Sequence, residues 1–239
     1  MHKMMMLGLL ALAGPADAAL VAGFELNGSL ANAAGNTVTL TNNGGVLGAT
    51  GISFAANNGP TVTGLSALPN YTIDIGFTLD TVSGYRKLID FSNRASDSGY
   101  YNNNGFLNAF PLGNSPNQVF SAGTPVRLTL SRTSAGLITA YIDGTEIYAR
   151  TDVNNGSQTA ITGLQPLNFF RDDFAFGPGE STSGFVDFIR IFDTAITPQQ
   201  AEPSAVPEPA TWAMMLFGFG ALGHMLRRQT RTKARVRFA

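Results

Sequence analysis

The segment YTIDIGFTL, residues 71–79, alternates apolar and polar residues, and this pattern constrains the fold more than any other feature of the chain. Its apolar residues recur at every second position and therefore fall on one side of an extended strand. Because successive side chains of a β-strand point to opposite faces, the period of two predicts a strand with one buried face. An amphipathic helix would need a period near 3.6 residues.

Similar segments recur between residues 19 and 205. VRLTLSR, residues 126–132, alternates likewise, and LITAYI, residues 137–142, returns after a turn at 134–136 as its partner strand. The pair Asp143-Gly144 is a strong turn signal before the next strand. Further strands are predicted at residues 52–55, 87–91, 145–148, 167–171 and 185–192.

This region lacks helical periodicity, and its best helix candidate is one turn at residues 197–200, with Thr197 as cap and Pro198 in the first position. Many short strands separated by Gly, Asn and Pro clusters predict an all-β fold of two packed antiparallel sheets. The length suits one domain with a sizeable core, at residues 19–202. The chain has no cysteine, so an exported domain has to rely on that core rather than on disulfides.

The charge of the domain argues against a nucleic-acid partner. Residues 19–205 contain eight basic and fourteen acidic residues, which gives a formal charge of −6. A domain that binds the phosphate backbone carries a basic surface instead.

The C-terminal part joins a Pro-rich linker at 203–209, an apolar run at 210–226 and a basic tail at 227–239. As a helix the apolar run rises roughly 26 Å, close to the bilayer core of about 30 Å, and predicts a transmembrane helix. The basic tail then places the C-terminus in the cytoplasm and the domain outside. A buried helix followed by a nucleic-acid-binding tail is the alternative, but it does not explain the apolar run.

The N-terminus tests this orientation independently. Two residues, His2 and Lys3, precede an apolar run, and the small residues Ala16 and Ala18 precede Ala19. This layout predicts a secretory signal peptide at residues 1–18, cleaved by signal peptidase before Ala19. The alternative is an N-terminal anchor, for which the apolar run is short.

The C-terminal residues resemble the PEP-CTERM sorting signal of Gram-negative bacteria. The resemblance rests on the apolar helix and on the flanking residues Val206, Pro207, Glu208, Pro209, Arg227 and Arg228; the tail beyond them is longer than usual in that family. It implies sorting by an exosortase in an exopolysaccharide-producing cell. The protein would be anchored in the inner membrane as a sorting intermediate and then reach the cell surface or the extracellular matrix.

A second resemblance covers roughly residues 71–201. The hairpin at 126–148, with Tyr141-Ile142-Asp143-Gly144, and the late strand at 187–191 are similar to the second half of a LamG or concanavalin A-like jelly roll. The resemblance implies a jelly-roll sandwich. That fold hosts lectins, adhesion modules, structural domains and hydrolases, so it indicates fold better than function.

The residue inventory limits catalysis. Both histidines, His2 and His224, lie outside the domain, which excludes Ser-His-Asp and Cys-His nucleophiles and His- or Cys-ligated zinc from it. None of its glutamates begins the Glu-x-Asp-x-x-Glu pattern of jelly-roll glycoside hydrolases. We therefore expect no catalytic residues and no enzymatic activity; the remaining alternative is a hydrolase with Asp172 and Glu180 as its acid/base pair.

Two loops, SNRASDSGYYNNNG and RDDFAFGPGE, are the candidate glycan site, because carboxylates and amides bind sugar hydroxyls and tyrosines stack on sugar rings. The acids of the second loop are also candidate ligands for calcium, which takes six to eight oxygens. Alternatively, Asn, Asp and Gly only form turns there, and Arg171 and Arg190 neutralise the acids. The candidate ligand-binding residues are Asn93, Asp97, Tyr100, Tyr101, Asp172, Asp173 and Glu180, and the candidate calcium ligands are Asp172, Asp173 and Glu180.

The sequence thus predicts an exported carbohydrate-binding or adhesion module, with exopolysaccharide or another glycan as its partner. The alternative is a structural component of the biofilm matrix that has no specific ligand.

Overall fold

The computed structural model describes residues 18–152, 159–175 and 178–202. The predicted signal peptide up to Asp17, including Ala16, lies outside these residues, as do the linker from Pro203, the sorting motif, the transmembrane helix and the basic tail. Within the described residues no helix is long and apolar enough to cross a bilayer. All described strands belong to one compact unit that ends at Ala201.

The described residues form seventeen strands and a single 3-10 turn, at Pro178–Glu180. In chain order the strands are β1 (Leu20–Phe24), β2 (Thr39–Thr41), β3 (Val46–Leu47), β4 (Ile52–Phe54), β5 (Thr61–Thr63), β6 (Ala67–Leu68), β7 (Tyr71–Leu79), β8 (Tyr85–Asp90), β9 (Gly99–Asn103), β10 (Phe106–Phe110), β11 (Gly113–Gln118), β12 (Val126–Arg132), β13 (Leu137–Ile142), β14 (Thr145–Thr151), β15 (Ile161–Thr162), β16 (Leu167–Phe169) and β17 (Gly184–Phe192).

The strands form two main antiparallel sheets, as predicted. Over the described residues, the eight-stranded sheet has the order β14-β13-β12-β7-β17-β4-β3, with β1 also paired to β17. The seven-stranded sheet has the order β11-β10-β9-β8-β16-β5-β2, and β6 pairs with β15 separately.

The core lies between the two sheets. The apolar residues of β7 are buried, with Tyr71, Ile73 and Ile75 completely inaccessible to solvent. Aromatic rings join the sheets: Phe170, which follows β16, lies 4.7 Å from Phe54 and 5.2 Å from Phe77 between ring centroids. The alternation of β7 therefore marks the face that packs against the other sheet. The polar face, which was predicted to be exposed, is also buried, with Thr72 and Asp74 completely inaccessible to solvent.

The predicted strands are present, but the sequence did not predict the hairpins from Gly99 to Gln118. These strands, GYYNN, FLNAF and GNSPNQ, are rich in Asn and Gly, which are depleted in strands. The predicted turn after Thr197 is present as a single turn: Gln200 and Ala201 donate backbone hydrogen bonds to the Thr197 carbonyl.

The outer face of the eight-stranded sheet carries a set of ion pairs, which we call the paired network. It consists of Glu25, Asp74, Arg127 and Arg190. Arg127 Nε lies 2.8 Å from Asp74 Oδ1, and Thr129 donates to the same oxygen at 2.9 Å. Arg190 contacts both oxygens of Glu25 at 2.7 and 2.6 Å, and its Nη1 lies 3.6 Å from Asp74.

Candidate functional site

Two loops lie on the outer face of the seven-stranded sheet: residues 91–98, between β8 and β9, and the described residues 170–175 and 178–180, after β16. Together with β8, they carry a group of charged residues that we call the loop cluster. Because the loops shield this face of the sheet, polar side chains that alternation would expose to solvent are buried instead. The cluster comprises Lys87, Asp90, Arg94, Asp97, Asp172, Asp173 and Glu180.

Lys87 points outward from β8 but is completely buried. Its ammonium donates to the Ser98 carbonyl at 2.9 Å and lies 4.1 Å from the centroid of the Tyr101 ring. Burial lowers the pKa of Lys87, because desolvation penalises its charged form, and the negative charges of Asp90 and Asp173 oppose this shift.

Asp90 anchors the loop between β8 and β9. Its Oδ1 accepts the backbone amide of Arg94 at 2.7 Å and the side-chain amide of Asn168 at 3.3 Å. Its Oδ2 is buried and has no hydrogen-bond partner among the described residues. Burial raises the pKa of Asp90, while the amide of Arg94 and the ammonium of Lys87 oppose the rise.

Arg94 ties the two loops together. Its Nε donates to the Asp172 carbonyl at 2.5 Å, and its Nη2 donates to Asn57 Oδ1 at 3.2 Å. The amide of Asp172 donates to the same oxygen of Asn57 at 2.8 Å. Burial lowers the pKa of Arg94 despite the carboxylates around it.

Asp172 and Asp173 are 1% and 2% exposed, and their carboxylates organise the second loop. Asp172 accepts the amides of Asp173 at 3.0 Å and Glu180 at 2.7 Å, one on each oxygen. Asp173 accepts the amide of Ala175 at 2.8 Å. Burial raises the pKa of Asp172, although these two amide hydrogen bonds lower it in part.

These contacts bear on the predicted calcium site. Both carboxylate oxygens of Asp172 accept backbone amides of the second loop. In the part of the chain that the structure describes, no group of three acidic, histidine or cysteine side chains is arranged to hold a metal ion. Calcium binding by Asp172, Asp173 and Glu180 stays a prediction.

The exposed part of this region is built around Phe174, which is 71% exposed. Its backbone amide donates to the Arg94 carbonyl at 2.9 Å, and the Arg94 guanidinium carbon lies 3.9 Å from its ring centroid. Asp97 and Glu180 are partly exposed in the same two loops. Burial raises the pKa of Glu180, and the charges of Asp97 and Asp172 raise it further.

Of three further predicted residues, two tyrosines are buried, although contact with a ligand would require them to be exposed, and one asparagine is exposed. Tyr100 faces the core and is completely buried, with Phe91 5.8 Å away between ring centroids. Tyr101 faces outward but is also completely buried, and its hydroxyl donates to Asp97 Oδ1. Asn93 is exposed and has a φ of 51°, which is typical of a turn residue. Neither tyrosine offers a free ring for stacking.

The arginines that were expected to neutralise the acids of the second loop, Arg171 and Arg190, have other partners. Arg171 contacts Thr61 Oγ1 at 2.8 Å and Asn168 Oδ1 at 3.3 Å, and Arg190 belongs to the paired network on the other sheet. The basic groups near the acidic loop are instead Lys87 and Arg94. Their roles were missed because they depend on which side chains the loops cover, a long-range property that local sequence does not report.

Near the N-terminus, the residues flanking the predicted cleavage point lie at the start of β1. Ala19 donates its backbone nitrogen to Asp193 Oδ1 at 3.0 Å, and the Asp193 amide donates to the Ala19 carbonyl at 3.2 Å. Ala18 and Leu20 pack against a small cluster of Phe192, Ile196 and Ala201. The first residue of the predicted processed chain is therefore tied to the segment that follows β17.

Comparison with family models gives one match, the PEP-CTERM protein-sorting motif, at residues 205–231. The chain carries a PEP-CTERM sorting motif. The match includes the Pro-Glu-Pro residues, the apolar run and the first basic residues, as the sequence predicted. The motif indicates a protein that is exported and sorted by an exosortase.

No curated protein matches the sequence. Solved structures do match: domain 4 of AbnA, an extracellular arabinanase from Geobacillus stearothermophilus in complex with arabinotriose, has 18% identity and a TM-score of 0.53 over 77% of this chain and 97% of that one. A Trypanosoma rangeli sialidase has 14% identity and a TM-score of 0.58 over 76% of this chain and 31% of that one.

The ligand-binding domain of botulinum neurotoxin serotype D, in complex with N-acetylneuraminic acid, has 10% identity and a TM-score of 0.55 over 76% of this chain and 49% of that one. At these identities the likenesses establish a shared β fold. The function of this domain has to be argued from its own residues.

Proposed function

We propose that this protein is a glycan-binding adhesion module with a jelly-roll fold, which its sorting motif delivers to the cell surface or the extracellular matrix. The observation that carries the proposal is the exposed ring of Phe174, held over the guanidinium of Arg94 at 3.9 Å in a loop that also carries Glu180.

The chemistry of this surface suits a sugar. An aromatic face that is exposed and held in place can stack on the apolar C–H face of a pyranose ring. Arg94 supports the opposite face by a cation–π contact, which fixes the ring before the ligand arrives. The partly exposed carboxylates of Asp97 and Glu180 can accept hydrogen bonds from sugar hydroxyls, and such charge-assisted bonds are the stronger kind.

The shared fold is compatible with this function. Domain 4 of AbnA has bound arabinotriose, and the neurotoxin domain has bound N-acetylneuraminic acid. A domain attached to an exosortase-sorted chain would meet exopolysaccharide outside the cell. We expect the ligand to be a neutral or weakly charged glycan, because the loop cluster contains five acids and would repel a polyanion.

We propose binding rather than hydrolysis. An acid/base pair of Asp172 and Glu180 would need a carboxyl group that is free to exchange a proton with the substrate. Asp172 is buried and its two oxygens accept backbone amides at 3.0 and 2.7 Å. A purely structural matrix protein remains the alternative, and it predicts that removal of the Phe174 ring leaves adhesion unchanged.

The test is glycan binding by the full chain in a neutral detergent, measured on an array of neutral and sialylated oligosaccharides. We expect Phe174→Ala to weaken binding about tenfold, which is ~1.4 kcal/mol. Leu164→Ala is the matched control, since it also removes an exposed apolar side chain, one that is 84% exposed. Equal binding by the two variants would contradict the proposal, and so would the absence of binding to any glycan.

A further inference from the structure

A groove of about 430 Å³ lies on the outer face of the eight-stranded sheet. It is separate from the loop cluster, which lies on the outer face of the seven-stranded sheet. The volume falls within the range of about 300–1,000 Å³ that is typical of small-molecule sites. Its walls include Gly76, Arg127, Asp143, Phe185, Asp187 and Phe188.

A β-bulge shapes one wall of the groove. The register of β17 against β7 shifts between Val186 and Phe188, so that Asp187 is an additional residue in the strand. The bulge leaves Phe185 and Phe188 half-buried on the outer face and exposes Asp187 beside them. A bulge that reorients side chains is a recurrent feature next to functional sites.

Two glycines make room for the two aromatic rings. A Cβ atom on Gly76 would lie 2.7 Å from the ring of Phe188, and one on Gly51 would lie 2.3 Å from the ring of Phe185. The rings therefore lie against bare backbone, and a side chain at either glycine would displace them. Arg190 lies 4.1 Å from the centroid of Phe188 and holds that ring in place.

The charges in the groove favour a neutral ligand. The guanidinium of Arg127 is matched by Asp74 at 2.8 Å and also donates to the Pro198 carbonyl at 3.1 Å. Asp143 Oδ1 accepts the backbone amide of Arg127 at 2.9 Å, while Asp187 has no hydrogen-bond partner among the described residues. The carboxylates of Asp143 and Asp187 are thus the acceptors that a ligand meets, and they would repel an anion.

We propose that this groove is a second saccharide site, which holds one or two neutral sugar rings against Phe185 and Phe188. Sugar hydroxyls donate hydrogen bonds to the carboxylates of Asp187 and Asp143. The site lies on the opposite sheet from Phe174. One copy of the domain therefore binds two polysaccharide segments and cross-links them, a consequence that rests on the proposed function of the first site.

The experiment uses affinity electrophoresis of the full chain, in a neutral detergent, through gels that contain arabinan, xylan, β-glucan or galactomannan. The proteins tested carry Phe174→Ala, so that retardation reports the groove alone. We expect at least one polysaccharide to retard the protein. An added Asp187→Ala should raise the dissociation constant for that polysaccharide at least fivefold. Glu146→Ala is the matched control, because it removes one exposed negative charge from β14 of the same sheet.

The outcomes separate the two sites. The unsubstituted chain is run in the same gels. If Phe174→Ala abolishes all of its retardation, the groove proposal is wrong and the first site stands. If retardation persists and the added Asp187→Ala behaves like Glu146→Ala, the groove proposal is wrong. If Phe174→Ala has no effect while Asp187→Ala removes binding, the groove stands and the proposed function of the Phe174 surface is wrong. Retardation by a polyuronate gel equal to that by a neutral gel would overturn the assignment of a neutral ligand.

Discussion

The paired network and the loop cluster differ in how burial and neighbouring charges shift the pKa values of their residues. In the paired network, two acids meet two arginines at short distances. Burial lowers the pKa of Arg190, but the hydrogen bonds and charge of Glu25 outweigh it and raise that pKa. In the loop cluster, the pKa of Lys87 and Arg94 is lowered and that of Asp90, Asp172 and Glu180 is raised, in each case chiefly by burial.

The difference teaches how to tell a structural ion pair from a candidate site. In the paired network, the raised pKa of Arg190 shows that the protein itself supplies the partner that stabilises the charged guanidinium. The shifts of Lys87, Arg94, Asp90, Asp172 and Glu180 favour the neutral forms instead, and groups perturbed in this way are concentrated at functional sites. The loop cluster is therefore the better candidate site of the two.

We expect the largest loss of stability from a substitution that breaks the paired network. Asp74→Ala leaves the guanidinium of Arg127 without its buried partner, which typically costs about 3–5 kcal/mol of unfolding free energy. Urea unfolding measures the loss. Glu25→Gln is the control: the Glu25 side chain is 42% exposed, and a partly exposed pair contributes up to ~1 kcal/mol. Equal losses in the two variants would contradict a network centred on Asp74.

A smaller loss is expected in the loop cluster. Asp172→Ala removes the acceptor of two backbone amides, which costs about 1–3 kcal/mol, but it also relieves repulsion among the neighbouring acids. Asp172→Asn keeps one acceptor oxygen and should lose less. Urea unfolding under the same conditions as for Asp74→Ala gives the ranking, and a loss as large as that of Asp74→Ala would remove the distinction between the regions.

The pH dependence of stability sharpens the comparison. Glu180 has a raised pKa in the folded state, so it binds its proton more tightly there, and its contribution to stability falls as the pH rises from the unfolded-state pKa through the raised value. Glu180→Gln should therefore be more stable than the parent at pH 7, by on the order of 0.5 kcal/mol after solvent screening.

At pH 3 the two proteins should be equally stable, because the Glu180 carboxyl is then protonated in both states. Thermal unfolding at the two pH values measures the difference. Glu146→Gln, at an exposed position on β14, is the control for the loss of one negative charge. A Glu180→Gln variant that is less stable than the parent at pH 7 would show that this carboxylate has a compensating partner.

We expect the smallest loss of stability at the contact between the Ala19 nitrogen and Asp193. Cleavage before Ala19 would turn the nitrogen that lies 3.0 Å from Asp193 Oδ1 into an ammonium group. Asp193→Asn should then lower the stability of the processed chain by less than about 1 kcal/mol. The loss should shrink in a chain that retains Ala18, where this nitrogen is an amide. N-terminal sequencing of the exported protein tests the cleavage position itself, and equal losses in both chains would contradict the pairing.

Much of the fold followed from local sequence. The period of two at residues 71–79 predicted a strand, and Asp143-Gly144 predicted the hairpin between β13 and β14. The period also predicted that one face of β7 is exposed, which is wrong, because β7 is a central strand and both of its faces are buried. The strands of residues 99–118 were missed because their Asn and Gly content resembles a loop; their hydrogen bonds come from neighbouring strands, which local propensity does not include.

The candidate site was predicted only in part. Asp97, Asp172, Asp173 and Glu180 do come together, since the loops that carry them meet over one sheet. The sequence did not distinguish Tyr100, which faces the core, from an exposed aromatic residue, or Phe174, which is exposed, from a core residue. Exposure of an aromatic side chain in a loop depends on where the other loop passes over the sheet, and no pattern along either loop reports it.

The position of β17 has a mechanical consequence. This strand is the last of the domain, and it pairs with β1, β4 and β7. Its hydrogen bonds to the neighbouring strands lie across its axis, so a force applied along β17 acts on them in shear. Such a force is shared by many bonds at once instead of opening them one after another.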